Sequence, residues 1–108
     1  MDPRQVAYVE GDGWGHRVMD SVELDAIDAV FGAHRSPADP LLVGTVKSNL
    51  GHTECCSGMV GIVKSVVAME NGVVPATINH VRDMADVQGL ADGRLKVRSP
   101  RASRAYHT

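Results

Sequence analysis

An apolar segment near the middle of the chain, at residues 54 to 70, constrains the fold more than any other feature. It is long enough for a helix of several turns, and Asn71 and Gly72 follow it in a C-cap pattern. Large apolar side chains leave this helix almost no polar side: Met59, Val60, Ile62, Val63, Val66, Val67 and Met69. A helix without a polar side must be covered by layers on both of its sides.

Small residues recur along the same helix at three- and four-residue steps, and this spacing lets another backbone approach closely. They are Gly58, Gly61, Ser65 and Ala68. A domain of 108 residues hides only about two thirds of its unfolded surface, so it can hardly supply layers on both sides of a helix. We therefore expect the helix to pack against something outside this chain, either a dimer mate or a different chain.

The remaining segments alternate between strand and helix patterns, which is typical of an α/β fold. Residues 5 to 10 and 41 to 47 are predicted strands, and the near-continuous apolar start of the second predicts burial on both of its faces. Residues 73 to 78 and 95 to 99 are predicted to be extended, and the segment 79 to 93 between them is predicted to be an irregular loop or a short helical piece.

A second helix is predicted between the first two strands, after a sharp turn with the sequence GDGWG. Asp20 and Glu23 have capping-box spacing, so they predict the start of this helix. An apolar stripe follows on one helix face: Leu24, Ile27, Val30 and Phe31. The helix is therefore expected to lie on a surface, with one wet side.

Charge, cysteine content and hydropathy exclude several classes of protein. The formal net charge is -2 without a basic cluster, so we expect no nucleic-acid partner and no anionic membrane partner. Cys55 and Cys56 are adjacent, and because a bridge between neighbours is strained, they indicate reduced thiols of a cytoplasmic protein. No signal peptide and no membrane-spanning segment are predicted. We expect one domain at residues 1 to 100 and a polar tail at 101 to 108.

Two motifs resemble those of a known enzyme family. EGDGWGH at residues 10 to 16 is similar to the family's EAHGTGT loop, and VKSNLGHTECCSGMVG at residues 46 to 61 is similar to its VKTNIGHLEAAAGVAG motif. Residues 6 to 80 thus resemble the C-terminal half of the β-ketoacyl synthase (ketosynthase) domain of modular polyketide synthases. The resemblance implies half of a thiolase-like fold, with the order strand-helix-strand-helix-strand and a buried central helix at about residues 54 to 70.

The resemblance also implies which residues belong to a catalytic site. The family uses a cysteine nucleophile from its N-terminal half and two histidines from its C-terminal half to decarboxylate a malonyl thioester and condense it onto an acyl chain. His52 matches the second histidine, and Lys47 matches a lysine that supports the site electrostatically. Asp12 stands where the first histidine is expected, and a carboxylate cannot donate a hydrogen bond to an enolate oxygen. Trp14 and His16 replace two threonines of the loop that passes the substrate arm.

The sequence lacks both the nucleophile-bearing half and the family's glycine-rich GFGGTN strand. We therefore expect a truncated ketosynthase-like protein of polyketide biosynthesis that is not competent for decarboxylative condensation alone. It would act on or position an acyl or polyketide thioester bound to an acyl carrier protein, as a homo-oligomer or with a complementing N-terminal-half chain. No cofactor and no metal are implied.

Two other functions stay open. One is a stand-alone tailoring enzyme, of the cyclase, isomerase or dehydratase type, in which His52 is the general acid or base and Lys47 supports it together with Asp12 or His16. The other is a gene remnant without an independent role.

Each site residue also has a structural interpretation. Lys47 and His52 are compatible with capping and hydrogen bonding in a loop before a helix, and Asp12 with stabilising its turn. His16 is either a replacement acid or base or a solvated surface imidazole. Metal binding by Asp12, His16 and His52 has only a weak spacing signal. Cys55 is either a compact apolar filler or a thiol activated by a helix N-terminus.

Overall fold

The computed structural model describes residues 1–100, and the predicted polar tail at 101–108 lies outside the described residues. The described part is a mixed α/β fold, so the predicted fold class is confirmed. Its elements are β1 (Tyr8–Glu10), α1 (Arg17–Phe31), β2 (Leu41–Gly44), α2 (Lys47–Leu50), α3 (Ser57–Asn71), α4 (Gln88–Ala91) and β3 (Leu95–Val97). Single 3-10 turns lie at Pro3–Gln5, Gly32–His34 and Glu54–Cys56.

The three strands form one parallel sheet in the order β1-β2-β3. Because neighbours in register point to the same side of a sheet, the pairing assigns each side chain to a face. One face is apolar and carries Val9, Leu41, Val43, Leu95 and Val97. The other face carries Tyr8, Glu10, Leu42, Gly44 and Lys96. All three leucine and valine residues of β2 are buried, so the prediction that this strand is covered on both faces is confirmed.

The hydrophobic core lies on the apolar face of the sheet, beneath α1 and α4. Its buried members are Leu41, Val43, Val87, Leu90 and Leu95. From the predicted stripe of α1, Leu24, Ile27 and Phe31 pack against this core, whereas Val30 is exposed. The core therefore accounts for one side of the sheet only.

The start of α1 differs from the predicted capping box. The helix begins at Arg17, with His16 as an N-cap that makes no side-chain capping bond. Asp20 instead accepts a hydrogen bond from the backbone N–H of Gly15 at 3.1 Å, and Glu23 accepts from that of Gly13 at 2.9 Å. The glycine-rich turn leaves several N–H groups without backbone partners, and the two carboxylates bind those groups rather than the helix end.

Helix α3 lies against the polar face of the sheet, and only Gly61, Lys64 and Ala68 of the helix are buried. Six large side chains are between 42 and 74% exposed: Met59, Ile62, Val63, Val66, Val67 and Met69. The predicted cover on both sides of the central helix is therefore not reached within residues 1–100, because the sheet is the one layer that these residues place against it. The expectation that the chain is too small to enclose this helix agrees with that exposure.

The predicted end of α3 is observed, whereas the extended segment predicted after it forms no strand. Gly72 closes α3 with a φ of 62°, as its C-cap pattern predicts. Residues 73–78 form no strand, and Thr77 makes a single backbone hydrogen bond of 2.7 Å to the carbonyl of Arg98. Pro75 has no N–H to contribute to a ladder, which explains this difference. Within residues 1–100, no helix combines the length and the apolar character needed to cross a membrane.

Candidate functional site

A cavity of about 590 Å³ lies where the three strands end. Gly11 follows β1, Gly44 and Thr45 lie at the end of β2, and Val97 ends β3, and all four residues line the cavity. Further apolar walls come from Leu24, Ile27, Val43, Met84 and Leu90. Open parallel sheets bind ligands outside the carboxyl ends of their strands, and the volume is typical of a small-molecule site.

Lys47 and Asp12 form an ion pair beside this cavity. The Lys47 ammonium contacts the Asp12 carboxylate and also donates a hydrogen bond to the Asp12 backbone oxygen at 2.7 Å. The lysine side chain is 9% exposed, whereas that of Asp12 is 66% exposed. The structure therefore brings two predicted site residues together, and the lysine charge that would support a developing anion is already paired with a carboxylate.

The glycine-rich turn that carries Asp12 is held from two sides. From α1, Glu23 accepts hydrogen bonds from the backbone N–H groups of Asp12 at 2.6 Å and Gly13 at 2.9 Å. From the end of β2, the Thr45 hydroxyl donates to the Asp12 carbonyl at 3.1 Å. These contacts fix the backbone of Asp12 above the Lys47 ammonium.

His52 lines the same cavity as Lys47 and is exposed. Its Nδ1 accepts a hydrogen bond from the backbone N–H of Glu54 at 2.9 Å. Since Nδ1 is the acceptor, a neutral His52 ring carries its proton on Nε2, where it can donate to a substrate oxygen. The sharp backbone at this position depends on Gly51, which has a φ of 77°.

His16 is placed differently from the other predicted site residues. Its ring stacks on Trp14 with centroids 5.7 Å apart and planes 25° apart. Trp14 lines the cavity, whereas His16 is not among the described residues that line it. In the described range 1–100, no group of three histidine, cysteine or acidic side chains could hold a metal ion. Asp12, His16 and His52 therefore do not converge on one point.

Cys55 and Cys56 are free and exposed in the 3-10 turn that precedes α3. The interpretation of Cys55 as a compact apolar filler is therefore wrong for the single chain. Cys56 is the N-cap residue of α3 and makes no side-chain capping bond.

Sequence analysis missed a buried polar cluster between α3 and the sheet, formed by Tyr8, Glu10 and Lys64. The Lys64 ammonium lies 2.8 Å from Glu10 Oε2 and donates to the Tyr8 hydroxyl at 2.9 Å, and the Lys64 and Glu10 side chains are 7% and 12% exposed. The Tyr8 hydroxyl donates to Glu10, and the other Glu10 oxygen accepts from the backbone N–H of Val46. Burial, the hydrogen bond to Glu10 and the Glu10 charge raise the pKa of Tyr8 far above its usual range.

This cluster links α3 to the segment that starts α2, because Val46 directly precedes Lys47. A lone lysine inside an apolar helix was the available signal for the cluster, since a buried ammonium requires a partner. A second cavity of about 440 Å³ lies above the cluster, between the end of β1 and the exposed side of α3. Asp12, Lys47, Ile62 and Val66 are among its lining residues, so Lys47 lines both cavities.

Two further polar features next to the first cavity escaped sequence analysis. Thr77 is 8% exposed, and its hydroxyl oxygen has no hydrogen-bond partner among the described residues. His80 Nε2 lies 3.0 Å from the Asp83 carboxylate, and both side chains line the cavity. No sequence pattern predicts either feature, because the contacts depend on how the segment 73–84 folds over the strand ends.

Alanine at Gly13 is expected to destabilise the fold by roughly 1–3 kcal/mol more than alanine at Gly15. Both glycines have positive φ values, 50° and 83°, so both substitutions carry similar backbone strain. A Cβ at Gly13 would lie 2.6 Å from Thr45 Cβ, whereas a Cβ at Gly15 meets nothing within 4 Å. Urea unfolding of the two variants measures the difference, and equal losses of stability would show that the turn is not packed against Thr45.

Comparison with known proteins follows the same motifs. Residues 1–81 match the family described as β-ketoacyl synthase, C-terminal domain. The chain is 45% identical over 100 residues to a highly reducing polyketide synthase of Sordaria araneosa, and the match covers 93% of this chain and 3% of that protein. It is 48% identical over 97 residues to a highly reducing polyketide synthase of Stachybotrys chartarum, with 90% of this chain and 4% of that protein covered.

A highly reducing polyketide synthase of Penicillium oxalicum is 49% identical over 79 residues, which are 73% of this chain and 3% of that protein. The chain thus spans 3 to 4% of the length of these relatives. The family match over residues 1–81 covers both predicted motifs, the strands β1 and β2, and the helix α3.

Proposed function

The chain belongs to the family of β-ketoacyl synthase C-terminal domains, and from this premise we propose that it is one half of a ketosynthase-like unit of polyketide biosynthesis. The unit acts on or positions an acyl or polyketide thioester bound to an acyl carrier protein. This half corresponds to residues 1–100, contributes Lys47 and His52 to the site, and requires a complementary N-terminal half. That half is supplied by a second chain or by other residues of a longer polypeptide.

The observation that carries this proposal is the exposed apolar side of α3. Six large apolar side chains on one helix form a patch of the kind that marks an interaction surface. The patch borders the second cavity, where Ile62 and Val66 stand beside the Asp12–Lys47 pair. A partner that covers α3 would therefore also complete the wall of the site next to Lys47.

The pairing of Lys47 with Asp12 supports the further proposal that this half does not perform decarboxylative condensation alone. Decarboxylation produces an enolate oxygen that needs positive charge or hydrogen-bond donors. The Asp12 carboxylate offers acceptors only, and it occupies the ammonium that would otherwise face the anion. His52 Nε2 is the donor that stays available on this side of the cavity.

The available His52 Nε2 favours a second candidate function, a stand-alone tailoring enzyme in which His52 is the general acid or base. The His52 ring lines a 590 Å³ cavity and is oriented by the Glu54 backbone. A cyclisation, an isomerisation or a dehydration needs a side chain that transfers a proton to or from the substrate. In this case the isolated chain turns over a polyketide thioester, and replacing His52 with alanine removes that activity.

A reconstitution experiment separates the two candidates. The chain is purified alone and together with the N-terminal half of the ketosynthase domain of the Sordaria araneosa relative, and the mass of each sample in solution is measured by light scattering. We expect a stable heteromer, with carrier-bound acyl thioester retained by the pair and not by either half. A monomer that ignores the N-terminal half and converts the thioester by itself would overturn the half-domain proposal.

A further inference from the structure

We propose that Cys55 and Cys56 form a dithiol site, which binds a trivalent arsenic compound with one organic substituent through both sulfur atoms. The inference goes beyond the proposed function and does not rest on it, because it uses only the two thiols and the turn that holds them. These residues are the only two cysteines of the chain, so the number of sulfur atoms that react is directly measurable.

Both thiols are accessible in the structure. Cys55 and Cys56 are free and exposed, and they lie in the 3-10 turn Glu54–Cys56, directly before α3. As the N-cap residue of α3, Cys56 makes no side-chain capping bond. A small molecule in solution therefore reaches both residues while the chain stays folded.

Backbone hydrogen bonds hold the turn that carries the thiols. The N–H of Cys56 donates to the Thr53 carbonyl at 3.0 Å. The N–H of Glu54 donates to His52 Nδ1 at 2.9 Å, and its carbonyl accepts from the N–H of Ser57. Because the backbone around the pair is held in this way, less conformational freedom is lost when both sulfurs bind one atom.

The spacing of the two cysteines favours a bridging atom over a direct disulfide. Their peptide bond is trans, so their Cα atoms lie about 3.8 Å apart. Most disulfides join Cα atoms that are about 4.4–6.8 Å apart, so a direct bond between these neighbours is strained. An atom between the two sulfurs enlarges the ring and lets the sulfurs stay further apart than in a disulfide. The pair is therefore suited to chelating an atom that binds sulfur strongly.

The number of available donors determines the class of ligand. Within residues 1–100, no group of three histidine, cysteine or acidic side chains could hold a metal ion, so the pair offers two sulfurs without a third protein ligand. Structural zinc sites use four protein ligands and catalytic zinc sites use three, and the pair meets neither requirement. A trivalent arsenic atom with one bond to carbon has two bonds left, and soft sulfur ligands suit such an atom.

Binding replaces the oxygen of the arsenical with the two sulfurs. In the reaction with phenylarsine oxide, two As–S bonds form and the double bond between arsenic and oxygen breaks. The two S–H protons leave with that oxygen as one water molecule. Arsenic stays trivalent, so the step needs neither an oxidant nor a reductant.

Phenylarsine oxide is the probe, and intact-mass spectrometry with a count of free thiols is the assay on the full chain. One phenylarsenic group is expected to bind per chain, with the loss of both free thiols. Light scattering is expected to show the same assembly state before and after binding. Excess glutathione, a monothiol, is expected to leave the complex intact, whereas dimercaptopropanol, a dithiol, is expected to remove the arsenic.

Single replacements separate chelation from reaction at one thiol. Cys55→Ser and Cys56→Ser are each expected to bind roughly 100- to 10,000-fold more weakly, because the second bond to arsenic no longer forms within one chain. The matched control combines Cys56→Ser with Val18→Cys, and it keeps two thiols but separates them. Val18 is 62% exposed on α1, which lies on the other face of the sheet from α3. This control is expected to bind as weakly as the single variants, with an unchanged circular dichroism spectrum.

Two phenylarsenic groups per chain would overturn the inference, because each thiol would then react alone. Undiminished affinity in Cys56→Ser would overturn it too, and so would an arsenical that joins two chains in light scattering. Zn²⁺ is expected to leave both thiols open to a thiol reagent, and protection equal to that by phenylarsine oxide would contradict the class of ligand. All these outcomes are read on the chain alone, without an acyl thioester or an N-terminal half, so they are independent of the test of the proposed function.

Discussion

Replacing Lys64 with methionine is expected to lower the free energy of unfolding by about 3–5 kcal/mol, because it leaves the buried Glu10 carboxylate without its cation. The Tyr8 hydroxyl also loses a donor at 2.9 Å. Urea unfolding followed by circular dichroism measures the change. Small domains typically have a free energy of unfolding of about 5–15 kcal/mol, so this change removes a large part of it.

Two further variants make the Lys64 prediction specific. Arg17→Met breaks an exposed ion pair with Asp86, whose N···O distance is 3.3 Å, and is expected to cost less than about 1 kcal/mol. Adding Glu10→Gln to Lys64→Met removes the uncompensated charge and is expected to recover part of the loss. A cost for Lys64→Met no larger than that for Arg17→Met, without coupling to Glu10, would contradict the buried ion pair.

Glutamates at Ile62 and Val66 together are expected to weaken association with the N-terminal half by at least about 100-fold. Full burial of each side chain contributes roughly 1.5–3 kcal/mol, and a charge in its place must also be desolvated. Ile62 and Val66 line the second cavity, which Lys47 also lines, and both lie on the exposed side of α3. Titration of the labelled N-terminal half, with light scattering of the variant alone, measures the affinity and the state of the free chain.

The matched control places glutamates at Val18 and Val22 on α1. These residues are 62% and 61% exposed, compared with 59% for Ile62 and 42% for Val66, so the control introduces the same charges at sites of similar or greater exposure. We expect the α1 variant to keep its affinity for the N-terminal half. If both double variants lose affinity alike, the interaction is not specific to α3.

Local pattern predicted those parts of the fold whose causes are local. The apolar run of β2, the stripe that includes Leu24 and Ile27, and the glycine that ends α3 were all correctly identified. Each of these depends on a few neighbouring residues and on the period of the element that contains them. The segment 79–93 was predicted to be an irregular loop or a short helical piece, and it contains the short helix α4.

The differences arise where distant residues compete for the same groups. Glu23 has the spacing of a helix cap, yet it binds the turn at Asp12 and Gly13, because that turn returns over the first turns of α1. The burial of Lys64 and the unpaired hydroxyl of Thr77 likewise depend on which elements meet. A sequence shows that a lysine lies in an apolar helix but not which carboxylate faces it.

For the candidate site, the two motifs indicated which segments of the chain meet, but not which charged groups pair there. Lys47, Asp12 and His52 all lie near the strand ends, as the similarity to the ketosynthase motifs implies. The direct pairing of Lys47 with Asp12 and the stacking of His16 on Trp14 depend on side-chain geometry. The chemical roles of Lys47, Asp12, His52 and His16 stay predictions.

The Lys64 cluster also fixes the orientation of α3 relative to the sheet. A helix held only by apolar contacts can rotate about its axis at little cost. The Lys64 ammonium, in contrast, contacts both the Glu10 carboxylate and the Tyr8 hydroxyl, and these directional contacts restrict the rotation of α3. The exposed valine and methionine side chains of α3 therefore have a fixed orientation in the single chain. If the proposed N-terminal half binds this side of α3, less orientational freedom is lost on binding than for a helix that is free to rotate.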